Sequence, residues 1–161
     1  HPHLPDILRR ELILHFDNFT AVTGASKAIP QRGALDAIAT LHAAGYKLGL
    51  ATNDSTAGAS QTLLMFGVKP MFSATYGYDA VAHPKPAPDT INAFCGLVGL
   101  SPAEVAMVGD NRHDIEMARA AGCCLAVGVL NGTGTRETLA GADIILDSVA
   151  DLPAWLQAND A

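Results

Sequence analysis

Asp110 closes the run Val105-Ala106-Met107-Val108-Gly109, and Asp114 stands four residues further on. Carboxylates at that spacing can approach one another where the chain folds back, and a divalent cation relieves their repulsion. Magnesium suits such a pair, because it takes carboxylate and water oxygens and usually needs only one or two protein carboxylates beside a phosphate. Gly109 is expected to let the backbone turn sharply at this point. A plainer role for Asp114, capping the helix it begins, stays open on these residues alone. Lys85 sits between Pro84 and Pro86, which restrict the backbone on both sides. A lysine held in that way is suited to clamp the charge of a transferring phosphoryl group, although a loop lysine is otherwise a solvated one. Thr52 and Asn53 end the run Leu48-Gly49-Leu50-Ala51. Their hydroxyl, amide and neighbouring N–H groups can hold phosphate oxygens, but many strands end in turns of this composition.

These residues are informative because each follows its own element. The spacing predicts helices over 34–44, 56–66, 89–98, 114–121 and 152–157. Short apolar runs at 47–52, 72–76, 105–108, 124–127 and 142–146 predict strands. Strands alternating with helices imply right-handed crossovers and a parallel sheet. Ligands bind such sheets at the carboxyl ends of the strands, where Thr52, Asn53, Lys85, Asp110 and Asp114 fall. Nearer the start, Leu4, Leu8, Leu12, Phe16 and Phe19 recur close to helical spacing, so residues 5–20 read as an amphipathic helix. Residues 24–30 read as a linker.

With 161 residues, 49 % of them hydrophobic, the chain can bury one domain's core and is too apolar to be disordered. No apolar run approaches the ~18 residues that would span a bilayer. A net charge of −6 without a basic stripe argues against a nucleic-acid partner. Cys95, Cys123 and Cys124 are odd in number and lack zinc-site spacing, so they read as reduced thiols of a cytoplasmic protein. His1 stands where a start methionine would, which implies a processed or partial chain; His1-Pro2-His3 reads as a terminal remnant. His15 and His42 read as helix-surface residues, His113 as a solvent-facing loop residue and Trp155 as a packing anchor.

Taken together and in this order, the motifs resemble the haloacid dehalogenase (HAD) superfamily, and most closely its phosphoglycolate phosphatase-like branch. Leu48-Gly49-Leu50-Ala51-Thr52-Asn53 is similar to the family's second motif, His83-Pro84-Lys85-Pro86 to its third, and Gly109-Asp110-Asn111-Arg112-His113-Asp114 to its fourth. The stretches 115–122 and 128–135 also look like that branch, so the resemblance runs from about residue 30 to the end. It implies a Rossmann-like (HAD-like) α/β core over 30–161, with the remnant of a helical cap over 1–24. It further implies hydrolysis of a small phosphorylated metabolite through an aspartyl-phosphate, with Mg2+ as cofactor. Thr52 and Asn53 would bind the phosphoryl oxygens, and Lys85 would neutralise charge on nucleophile and phosphate. Asp110 would ligate magnesium, and Asp114 would support the metal site or orient Lys85.

The family's first motif, an apolar strand followed by Asp-x-Asp-Gly with the nucleophile as its first aspartate, has no match. The nearest stretch is Leu12-Ile13-Leu14-His15-Phe16-Asp17-Asn18-Phe19-Thr20. There Phe19 occupies the second acidic position, and Asp17 reads as a charge on the exposed face of the predicted helix. The first-motif strand is therefore expected to be missing from the middle of the sheet, with its neighbours' backbone groups unpaired. Poor stability, rearrangement or swapping with a neighbour would follow. Three alternatives stand beside the phosphatase. One is a non-catalytic magnesium- and phosphate-binding module, which the missing nucleophile favours. A true dehalogenase has no use for the acidic pair, and a receiver-type phosphoacceptor places its acidic cluster on earlier strands.

Overall fold

The computed structural model describes residues 28–159 in full and residues 11–14 as backbone. Six strands, β1 (Glu11–Leu14), β2 (Lys47–Ala51), β3 (Phe72–Tyr76), β4 (Ala106–Gly109), β5 (Leu125–Val129) and β6 (Ile144–Leu146), form one sheet in the order β3-β2-β1-β4-β5-β6. Every pairing is parallel. The helices are α1 (Ala34–Ala43), α2 (Thr56–Met65), α3 (Asp89–Val98), α4 (Arg112–Ala121) and α5 (Leu152–Asn159). Among the described residues no helix is long and apolar enough to cross a membrane.

The two faces of the sheet follow from the two-residue period of its strands. Leu48, Leu50, Ala106, Val108, Leu125, Val127 and Val129 point to one side, where Ile38 and Leu41 of α1 and Leu152 and Leu156 of α5 complete a core. Ala51, Met107 and Ala126 point to the other and meet Ile91 and Phe94 of α3 with Ile115 and Met117 of α4. Covered on both faces, β4 and β5 are buried along their whole length, which is why they read as unbroken apolar runs. Gly99 and Gly122, both at φ 78°, end α3 and α4 in the left-handed conformation that glycine adopts without strain.

The expected helix over 5–20 is corrected at Glu11–Leu14. This stretch is the strand β1, and it lies between β2 and β4. Ile13 is in register with Gly49 on one side and Met107 on the other. The sheet is therefore not missing a strand at its middle, and the ladder groups of β2 and β4 that were expected to go unpaired have a partner. The physical reason is that Leu12-Ile13-Leu14 is a contiguous apolar run. Periodicity cannot distinguish such a run from a buried strand, and a two-sided ladder outweighs a local helical preference. The remaining residues of the expected cap remnant over 1–24, with His15 and Asp17, lie outside the described residues.

The chain passes from β1 to β2 and β3 on one side, then returns across β1 to β4 on the other. Strand order thus reverses between β1 and β4, and the crevice at such a switch point is where open parallel sheets hold ligands. Leu14 pairs with both Leu50 and Val108, so β1 ends between the two strands that lead to Thr52 and Asp110.

Candidate functional site

Asp110 follows β4 and is buried, with 1 % of its surface exposed. Its Oδ2 accepts the Thr133 amide at 2.9 Å and the Thr133 hydroxyl at 3.2 Å. The loop after β5 therefore fixes the carboxylate's rotation. Close packing holds that loop in place: a Cβ on Gly134 would run into the Asp110 carbonyl oxygen. Thr133 is a residue the sequence reading did not single out; the glycines on either side of it, Gly132 and Gly134, were the available signal for a backbone that comes close to the site.

Asp114 caps its helix, the plainer role left open by the sequence, and also meets Lys85. It is the third residue of α4, where its Oδ2 accepts the Asn111 amide at 3.0 Å, while the Asn111 side chain accepts from the backbone of His113. This is a capping box at the helix N-terminus. Its Oδ1 meets Lys85 Nζ at 2.9 Å, with the two side chains 0 % and 3 % exposed. Lys85 is thus not a solvated loop lysine. Its ammonium is brought from the loop before α3 to the start of α4 and held there by a charge-assisted bond. Loop 83–88 is itself tethered, since the backbone N–H of His83 donates to Asp89 Oδ2 at 3.1 Å and the Ala87 N–H donates to the Pro84 carbonyl at 3.1 Å.

Gly109 has a different role from the expected sharp turn. It is the last residue of β4 and its φ is not positive. A Cβ there would collide with the Asp114 side chain, so the glycine exists to let α4 bring its carboxylate against the strand.

Thr52 is buried directly after β2. Its N–H donates to the Tyr76 carbonyl at 3.0 Å, and its Oγ1 accepts the Asp54 amide at 3.1 Å. Asn53 is exposed at the loop crest, followed by the N-terminus of α2, whose cap Ser55 accepts from Gly58. Thr52 and Asn53 on one side of β1, and Asp110 with the Lys85–Asp114 pair on the other, thus lie at the same carboxyl edge of the sheet. His42 and His113 are exposed, as expected, and Trp155 packs against the first core. Cys95, Cys123 and Cys124 form no disulfide with one another.

Among the described residues no three His, Cys, Asp or Glu side chains group to cage a metal. The chemistry of the donors nevertheless fits a hard cation. Asp110 offers a fixed carboxylate at a strand end, and magnesium is commonly held by one or two carboxylates with water and phosphate oxygens completing the shell. Asp114 has both of its oxygens committed, one to Lys85 and one to Asn111, which suits orienting the lysine better than direct ligation.

Comparison with known proteins identifies the family. Residues 3–122 match the model of a family described as haloacid dehalogenase-like hydrolase. A phosphoglycolate phosphatase of Salmonella paratyphi A is 37 % identical over 119 residues, 73 % of this chain and 47 % of that protein. The chain therefore spans about half the length of the curated relatives it matches. Among solved structures, a predicted phosphoglycolate phosphatase from Haemophilus somnus superposes with a TM-score of 0.70 at 31 % identity, covering 76 % of this chain and 55 % of that one. CbbY from Rhodobacter sphaeroides in complex with phosphate gives a TM-score of 0.67 at 28 % identity, over 76 % and 55 % of the two chains.

Proposed function

From the premise that the chain belongs to the haloacid dehalogenase-like hydrolases, we propose that it serves the magnesium-dependent hydrolysis of small phosphomonoesters of the phosphoglycolate kind. The observation that carries this reading is the buried Lys85–Asp114 pair beside Asp110 at the sheet's switch point. A cation fixed in a dry site is suited to phosphoryl transfer, which depends on positioning and electrostatic stabilisation. Thr52 and Asn53 hold the phosphoryl oxygens. Lys85 neutralises charge on the phosphate and on the group that attacks it, and Asp114 keeps the ammonium aimed. Asp110 is the magnesium ligand; when bound, the ion offsets negative charge on the transferring group. The Salmonella relative supports phosphoglycolate as substrate, and CbbY, solved in complex with phosphate, supports a phosphate ligand. The three cysteines form no disulfide with one another, which supports a reducing compartment such as the cytoplasm.

A second reading, a module that binds magnesium and phosphate without turnover, is favoured by one specific observation. The residues after β1 hold Asp17 and Phe19 where the family has its paired acids. Both readings are tested by magnesium-dependent hydrolysis of an aryl phosphate by this chain beside an Asp110→Asn control. Turnover that the control abolishes establishes the phosphatase and makes Asp17 the next residue to change. Phosphate binding without turnover establishes the module, and neither binding nor turnover sinks both.

A further inference from the structure

The loop that carries Thr52 and Asn53 is gripped from the side by a segment that no motif covers. β3 ends at Tyr76, and the turn 77–79 folds over the start of α2. Five hydrogen bonds join residues 76–79 to residues 52–56. The Tyr76 carbonyl accepts from Thr52, and the Tyr78 N–H donates to the Asp54 carbonyl at 3.0 Å. The Gly77 N–H donates to Thr56 Oγ1 at 2.9 Å. Thr56 then donates its own N–H and its hydroxyl to a single oxygen, Asp79 Oδ1, at 2.8 and 2.7 Å. Gly77 is required by close approach, because a Cβ there would strike the Thr56 backbone nitrogen. The first turn of α2 has no acidic residue of its own, so Asp79 brings the negative charge that a helix N-terminus favours from across the loop.

We propose that Asp79 is a positioning residue for the phosphate loop. Through Thr56 it fixes the path of residues 52–56, and so the placement of the Thr52 hydroxyl and Asn53 amide, without itself touching the phosphoryl group. This inference rests on the phosphatase reading. Several features separate it from a general structural role. Asp79 is exposed and adds nothing to either core. Its contacts go to Thr56, the first residue of the helix that follows the Thr52 and Asn53 loop, and both donors converge on one oxygen, which an amide oxygen can replace. The carboxylate Asp54 faces the same turn, but one of its oxygens is engaged locally by the Ser55 amide at 2.7 Å, so it does not substitute for Asp79.

The test measures binding of inorganic phosphate with magnesium by calorimetry, together with KM and kcat for an aryl phosphate. The proteins are wild type, Asp79→Ala, Asp79→Asn and Thr56→Val. Asp79→Ala is expected to weaken phosphate binding and raise KM roughly five- to tenfold, in line with loss of charge-assisted bonds, with kcat less affected and the unfolding midpoint near wild type. Thr56→Val is expected to move in the same direction, and Asp79→Asn to recover part of the loss, since its amide oxygen can keep both bonds without their charge. Unchanged binding in Asp79→Ala, or no recovery in Asp79→Asn, overturns the inference while leaving the phosphatase reading intact. A wild-type chain that binds no phosphate overturns both.

Discussion

Lys85 Nζ and Asp114 Oδ1 lie 2.9 Å apart, and neither side chain keeps more than a trace of contact with solvent. A buried pair of this kind stabilises little relative to apolar replacements, but removing one partner strands the other's charge, typically at about 3–5 kcal/mol. Lys85→Met is therefore expected to destabilise the chain by about that amount in urea unfolding. The partner substitution has to be isosteric, since Asp114 packs against Gly109 with no spare room. Adding Asp114→Asn to Lys85→Met should restore much of the lost stability without restoring phosphate binding. A double variant as unstable as the sum of the two singles would show that the residues do not act as a pair.

Asp110 depends on the loop after β5 for its orientation. Removing one such outer partner commonly costs about 10-fold or more in metal affinity or activity. Thr133→Val deletes the hydroxyl bond but keeps the amide bond. It is expected to raise the magnesium concentration needed for half-maximal phosphate binding by about that factor. Because Thr133 is exposed, stability should stay within about 0.5 kcal/mol of wild type. Gly134→Ala should act more severely, since its new methyl group meets the Asp110 carbonyl oxygen. Wild-type magnesium dependence in both variants would remove Thr133 and its loop from the site.

The thiols give a prediction in pH. Burial pushes Cys123 up from 9.0 to about 12 and Cys124 up to about 11. Both stay protonated in the folded chain where they would already ionise in the unfolded one. The folded state thus binds more protons between roughly pH 9 and 12, and stability falls as pH rises through that window. The urea midpoint should therefore decline above pH 9, and Cys123→Ser with Cys124→Ser should flatten the decline. At pH 8 an alkylating reagent should modify the native thiols far more slowly than those of the urea-unfolded chain. Equal rates in the two states would contradict the burial.

The elements that carry the site were legible because their signals are local. The apolar run at 72–76 and the helical spacing at 89–98 coincide with β3 and α3, since each is bounded by residues that stop it, such as Gly99. Thr52, Lys85, Asp110 and Asp114 were legible through their order along the chain and their places after apolar runs. The contacts that hold them were not, because they are non-local. Thr133 reaches Asp110 across 23 residues, and so does Asp79 to Thr56. No period or motif records such a contact. Gly109 was recognised, but for a turn rather than for the helix that packs on it. β1 was missed for the same reason at larger scale, because what makes Leu12-Ile13-Leu14 a strand is the pair of strands on either side of it.

β1 is accordingly the element whose test matters most for the function. If residues 11–14 pair as described, NMR should show cross-strand contacts between Ile13 and both Gly49 and Met107. The amides of this stretch should also be among the slower to exchange, as expected of a central ladder. The sheet would then be continuous, and the chain should unfold cooperatively as a monomer in sedimentation and urea titration. Helical chemical shifts over 11–14, or a dimer that dissociates only on unfolding, would instead mean that the strand is supplied in another way. With the strand confirmed, Asp17→Asn becomes decisive, because β1 ends beside the strands leading to Thr52 and Asp110. Loss of turnover with phosphate binding retained would make Asp17 the attacking group, and unchanged turnover would exclude it.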